Sequence, residues 1–219
     1  MTENKLKPII IYGAGGFGKE IACLINEINA VSPQWKLLGY IDDGVDVGTD
    51  IKYGSVLGGV DYLNNYQDSV SVVFSIANPV ILEKVFLKIT NPLIDFPNLI
   101  SPGVKFYDKP SLKMGKGNVV VNGCRFSCDV ELGDFNLFNG FVAVGHDVNI
   151  GSYNIFSPSS RLSGEVKLGN SNFIGVNSII LQGIKMGNNS KLGALSVLMK
   201  NAEDGFLYFG NPARKLTEK

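Results

Sequence analysis

The chain has 219 residues, 45% of them hydrophobic, enough for one large core or two small ones. Lys and Arg total 20, as do Asp and Glu. This balance, with no basic run, argues against a nucleic-acid partner or an anionic membrane held by a global field. The polar start Met1–Lys5 has no apolar signal core behind it, and Ile9–Tyr12 is too short to span a bilayer, so the chain is expected to be cytoplasmic with no membrane insertion. Cys23, Cys124 and Cys128 are odd in number and share the chain with one histidine; neither a disulfide framework nor a metal site is expected, only reduced thiols.

Residues 1–100 alternate strand and helix. Ile9–Tyr12 is a short apolar run. Lys19–Ile25 has helical period, Leu37–Ile41 is a second strand ending at Asp42-Asp43, and Val70–Ile76 is a third. Pro79–Ile89 reads as a helix. Strands separated by helices predict a small parallel, Rossmann-like sheet. Between the first strand and helix lies Gly13-Ala14-Gly15-Gly16-Phe17-Gly18, a G-x-G-x-x-G pattern in the context that binds phosphate at a helix N-terminus. Asp42 and Asp43 stand where a dinucleotide enzyme places its ribose-binding acid. The motif alone therefore also admits an NAD(P)-binding protein. Prolines at 92, 97 and 102 end this pattern and mark a domain junction near residue 100.

From Met114 every sixth residue through Leu198 is apolar: fifteen positions, a run expected by chance roughly once in 100,000 at this composition. Glycine follows at eight of them, read here as the residue whose backbone turns most easily at a corner. A period of six is a short strand followed by a corner, and three sides make an eighteen-residue coil, so residues 101–219 are predicted to wind into a parallel β-helix of five coils from Met114. Left-handedness is a property of the known repeat class. Such a solenoid can exist as a scaffold alone, so function must lie in what breaks the repeat.

His146, the single histidine, falls just past a corner glycine and beside Asp147. One coil on, 146 + 18 = 164, the equivalent residue is Gly164. The imidazole is predicted to face a position without a side chain, leaving room for a ligand and an accessible N–H. A histidine titrating near neutrality suits general-base chemistry.

The segments Gly145–Gly151 and Ser163–Gly169, the tail Phe209-Gly210-Asn211-Pro212-Ala213-Arg214, the glycine motif and Tyr40-Ile41-Asp42-Asp43 together resemble the bacterial nucleotide-sugar acetyltransferases of the bacillosamine and perosamine N-acetyltransferase type, relatives of the sialic-acid O-acetyltransferases. The resemblance runs nearly end to end. It implies a homotrimer with acetyl-CoA along the β-helix wall, His146 as base polarised by Asp147, and Gly164 N–H donating to the thioester oxygen. It places a nucleotide-sugar diphosphate at the glycine loop, with Gly13, Gly15, Gly16, Asp42, Asp43 and Asn78 as candidate contacts. Asn139 matches a position facing the sugar. Ile155, a candidate acetyl-CoA contact, stands where some relatives carry a second histidine against the thioester. Lys200 and Arg214 are candidates for the CoA phosphates. The implied reaction is direct acetyl transfer to the amine of a nucleotide-linked 4-amino-4,6-dideoxy sugar. A sugar O-acetyltransferase is the alternative within the class; an NAD(P)-binding or purely structural β-helix protein is the alternative outside it.

Overall fold

A computed structural model describes residues 6–216. The chain folds as two units: residues up to 77 with 81–102, and residues 78–80 with 103–219. Among the described residues no helix is long and apolar enough to cross a membrane.

The first unit runs β1 (Lys7–Tyr12), α1 (Gly16–Val31), β2 (Trp35–Ile41), β3 (Asp50–Ile51), β4 (Gly54–Gly58), α2 (Val60–Asn64), β5 (Val70–Phe74), α3 (Pro79–Phe86) and β6 (Ile94–Asp95). The sheet order is β3-β4-β2-β1-β5-β6. All pairs are parallel except the β3–β4 hairpin. Ile9, Ile10 and Ile11 are fully buried, as an unbroken apolar run in a central parallel strand should be. Helix α1 buries Ile21, Leu24, Ile25 and Ile28 along one stripe, each stabilising by about 1.5–3 kcal/mol. The segment from residue 44 to 69, for which sequence gave no elements, holds the hairpin and α2. Helix α3 stops at Phe86, three residues before the predicted end. Its tail tightens into i→i+3 bonds, Lys88 N to Val85 O and Ile89 N to Phe86 O, both 3.1 Å.

The second unit is the left-handed parallel β-helix expected from the repeat. Its first wall carries the strands at 119–120, 137–138, 155–156, 173–174 and 191–192. The second carries 105–106, 125–126, 143–144, 161–162, 179–180 and 197–198; the third, 113–114, 131–132, 149–150, 167–168 and 185–186. Neighbouring rungs pair in parallel with the eighteen-residue register, as in Val144↔Leu162 and Ile150↔Leu168. The winding begins earlier than Met114. Lys105–Phe106 already pairs with Arg125–Phe126, but at an offset of 126 − 106 = 20. The two extra residues are taken up at the three-residue 3-10 turn Lys109–Ser111, which breaks the period and hides this strand from a six-residue count.

Inside the prism, Phe126, Phe138 and Phe156 are fully buried, and Phe138 stacks on Phe156 with ring centroids 4.6 Å apart. Along one inner edge Asn118, Asn136, Asn154 and Asn172 form a ladder. Each side-chain oxygen of the first three accepts from the backbone N–H and amide of the asparagine one coil on, at 2.9–3.1 Å. Asn154→Ala would orphan the Asn172 backbone N–H, cost the Asn172 amide one of its two bonds (the other stays on Gly187 O) and remove the Asn154 amide's bond to Gly169 O. The expected loss is on the order of 3 kcal/mol, read as a lower urea midpoint.

The corners turn at a different residue from the one predicted. Positive φ falls three places after the inward apolar residue, at Phe135, Phe141, Asp147, Tyr153, Glu165 and Leu195 among others, with φ between 55° and 63° in these six. The glycines that follow the apolar residues, such as Gly133 and Gly151, do not have positive φ. They are required by stacking: a Cβ at Gly133 would meet Gly151 C and O at 2.8 Å. Close approach of coils, not ease of turning, selects glycine there.

The thiols differ sharply. Cys124 is buried with its Sγ 3.3 Å from Asn139 O, and burial pushes its pKa up to about 11, whereas Cys23 is exposed. A thiol titrating that high is almost wholly protonated at pH 8. Iodoacetamide at that pH should label Cys23 and leave Cys124 unmodified in the folded protein, as read by peptide mass spectrometry.

Candidate functional site: the His146 corner and the glycine loop

Strand 143–144 ends the second wall, Gly145 begins the corner, and His146 and Asp147 project from it with side chains 49% and 59% exposed. Asp147 adopts φ 56°, which turns its carboxylate back onto the ring. His146 Nδ1 lies 2.7 Å from Asp147 Oδ2. An ionised carboxylate can only accept, so Nδ1 is the donor in this contact, and in the neutral form of the ring the lone pair lies at Nε2. That nitrogen leans over Gly164, where an added Cβ would lie 2.5 Å from it. The space expected beside the histidine is thus filled by its own ring, and the lack of a side chain at 164 is what lets the ring lie there.

The corner's backbone donors are also unusual. At the corner after the third wall, each N–H two places past the apolar residue is taken by a side chain from the next coil. Lys116 N donates to Asp134 Oδ1, Asp134 N to Ser152 Oγ, Ser152 N to Asn170 Oδ1, Asn170 N to Asn188 Oδ1 and Asn188 N to Asp204 Oδ1, at 2.7–3.0 Å. The matching residues at the histidine corner are Cys128, His146, Gly164, Gln182 and Lys200. Gly164 has no side chain to offer His146 N. Gln182 spends its amide on Glu165 Oε1 at 2.7 Å. Among the described residues, the N–H groups of His146 and Gly164 have no acceptor. This corner therefore combines a half-exposed imidazole with unspent backbone donors. Beside it, the second wall carries a groove of about 440 Å³ whose lining includes Tyr107, Arg125, Ala143, Gly145, Arg161 and Ser163.

In the first unit, Gly13 has φ +115°, in the left-handed region that favours glycine, and a Cβ there would collide with Ser75 Oγ. A Cβ at Gly18 would collide with Gly13 O, so the third glycine lets α1 pack against the loop. Gly15 and Gly16 meet nothing within 4 Å, and α1 has no side-chain cap. Its open N-terminus is the kind that receives an anion.

Residues 8–89 match the model of the PglD N-terminal domain. Several solved structures share the fold of the entire chain. One is a variant of perosamine N-acetyltransferase from Caulobacter crescentus in complex with CoA and GDP-perosamine: 23% identity, TM-score 0.85, covering 96% of this chain and 97% of that one. Another is the acetyltransferase domain of PglB from Neisseria gonorrhoeae in complex with acetyl coenzyme A: 24% identity, TM-score 0.85, covering 96% and 100%. WeeI from Acinetobacter baumannii has 27% identity and a TM-score of 0.87, covering 96% and 100%. At 23–24% the likeness to the first two is one of fold. No curated protein matched the sequence.

At the end of β2 both aspartates carry structural bonds. Asp42 accepts from Ala14 N at 2.8 Å and Gly44 N at 2.9 Å, tying the glycine loop to the strand end. Asp43 accepts from the Tyr12 hydroxyl at 2.6 Å and from Val60 N at 2.8 Å, at the start of α2. Burial, then Asp43, raises the Tyr12 pKa, so the phenol stays a donor. Exposed Asn78 accepts from Val80 N at 3.1 Å, in the first turn of α3.

In the second unit, Lys200 is exposed on the His146 column, 200 − 146 = 54 residues or three coils away, about 14 Å at the usual strand spacing. Asn139 lies across the second wall from His146, at the opposite corner of the same coil, and accepts from Gly140 N at 2.7 Å. Ile155 is only 2% exposed, on the first wall. Arg214 lies in the C-terminal hairpin, opposite Phe209. Sequence reasoning missed Arg125, Arg161 and Tyr107. The signal for the arginines was available, since 161 − 125 = 36 is two coils. Among the described residues, no group of three or more His, Cys, Asp or Glu could hold a metal ion.

Proposed function

We propose that this protein is an acetyl-CoA-dependent N-acetyltransferase acting on the amino group of a nucleotide-linked 4-amino-4,6-dideoxy sugar, working as a homotrimer. The observation that carries the reading is the His146–Asp147 pair at 2.7 Å beside the unspent Gly164 N–H, on a chain whose residues 8–89 match the model of the PglD N-terminal domain. The likeness of fold to structures holding CoA with GDP-perosamine, or acetyl coenzyme A, supports the same chemistry.

In this mechanism Nε2 of His146 takes a proton from the acceptor amine as its nitrogen attacks the thioester carbonyl carbon. Asp147 fixes the tautomer and stabilises the imidazolium. Gly164 N–H donates to the oxygen as it gains charge. Collapse breaks the carbon–sulfur bond, the imidazolium returns its proton to the departing thiolate, and the products are the amide and free CoA. The amine attacks directly, so no cysteine acts as nucleophile. Lys200, on the same column, and Arg214 are assigned to the CoA phosphates. Gly13, Gly15 and Gly16 with the α1 N-terminus are assigned to the nucleotide diphosphate, with Asp42, Asp43 and Asn78 at its edge; Asn139 is assigned to the sugar.

The deciding experiment measures free thiol released from acetyl-CoA with UDP-, GDP- and dTDP-linked amino and hydroxy sugars. Release with an amino sugar supports the proposal. Release with hydroxy sugars alone would make the enzyme an O-acetyltransferase. No release with any acceptor, together with tight NAD binding, would overturn it.

A further inference from the structure

We propose that the groove on the second wall is a subsite for the anionic group carried by the acceptor, with Arg125 and Arg161 as its binding residues. This rests on the acetyl-transfer reading of the adjoining corner. Residues 125, 143 and 161 are consecutive in register, since Arg125 pairs with Ala143 and Ala143 with Arg161. The two arginines therefore stand two rungs apart, about 10 Å at the backbone, and the short side chain of Ala143 forms the trough between them. Both are exposed, and among the described residues neither guanidinium has a hydrogen bond or an ion pair. In a chain with equal numbers of acidic and basic residues, two free guanidiniums in one groove are a distinct feature.

Carboxylates stand close by but are engaged. Asp147 is held by His146 at 2.7 Å, and Glu165 by Gln182 at 2.7 Å. The fork of a guanidinium matches the paired oxygens of a phosphate or carboxylate. Position limits what the anion can be. Gly145 and Ser163 line the groove, and the next residues along the chain are His146 and Gly164. A group bound there sits on the same two coils as His146 and Gly164. An acceptor whose amine meets the base would place there a negatively charged substituent of its sugar, a phosphate or a carboxylate. The arginines thus set specificity for an acceptor bearing negative charge near the reacting amine.

The test compares wild type with the Arg125→Gln/Arg161→Gln double variant. Isothermal calorimetry uses inorganic pyrophosphate and glucuronate as probes, and is independent of turnover. At least one probe should bind at least tenfold more weakly to the variant. In steady-state kinetics the acceptor KM should rise at least tenfold while the acetyl-CoA KM stays within twofold. Comparing a nucleotide-linked amino sugar with its uncharged methyl glycoside and a carboxylated glycoside then assigns the source, because the penalty follows the charge that is read. Equal behaviour of both probes in the two proteins, including no binding to either, overturns the subsite, as does a rise confined to the acetyl-CoA KM. A wild type that binds a probe through these arginines yet transfers no acetyl group would overturn the proposed reaction and leave the subsite standing.

Discussion

Replacing His146 with alanine will lower kcat by at least about a thousandfold while leaving the melting temperature within a degree or two of wild type. The kinetic effect follows from geometry. Nε2 is the one lone pair of the corner's imidazole left free by the Nδ1 bond to Asp147. General-base assistance is worth roughly 10²–10⁴ in rate, and in the proposed mechanism the same nitrogen also returns a proton to the leaving thiolate. The stability effect is small because the side chain is half exposed and its one hydrogen bond is to the adjoining residue. Thiol-release rates and a thermal melt on the same preparation check both halves. A variant within tenfold of the wild-type rate would remove the imidazole from the mechanism.

Gly164→Ala tests the neighbour rather than the base. The added methyl would sit 2.5 Å from His146 Nε2 and 2.6 Å from Cε1, so the ring must swing away. Its chain end is exposed and can move, so folding survives; the backbone N–H at 164 also survives. What is lost is alignment between base and donor, and a displacement of about 1 Å in a reacting group costs on the order of 10²-fold. The expected result is a kcat reduced about a hundredfold with the urea midpoint close to wild type. Unchanged kcat would show that the ring's position over residue 164 is irrelevant to the reaction.

Much of this arrangement was legible in the chain because it is periodic. The apolar residue every six positions is a local signal, and adding eighteen to 146 finds Gly164 without coordinates. Where the period is interrupted the reading failed. The two residues accommodated by the turn at Lys109–Ser111 concealed the Lys105–Phe106 strand. Short elements such as Asp50–Ile51 and Gly54–Gly58 are too brief for alternation to register. The role of the glycines was misassigned because sequence records which residue is small, not whether space is needed for a turn or for the next coil. The Asp42 bond to Ala14 N depends on where two loops meet, which no spacing reveals. Arg125 and Arg161 were visible to the same arithmetic that found Gly164, but surface arginines raise no flag until a cavity is seen between them.

The equal spacing of rungs gives the second unit a discrete translational symmetry, and chemistry attached to one edge inherits it. Excising or duplicating eighteen residues between Gly164 and Lys200 would leave the imidazole and its immediate surroundings intact. It would move the lysine nearer or farther by one step of about 4.8 Å. With Lys200 holding the phosphate end of acetyl-CoA as proposed, the span open to the acyl carrier would be quantised, and shorter or longer pantetheine-like arms would be matched without touching the reacting groups.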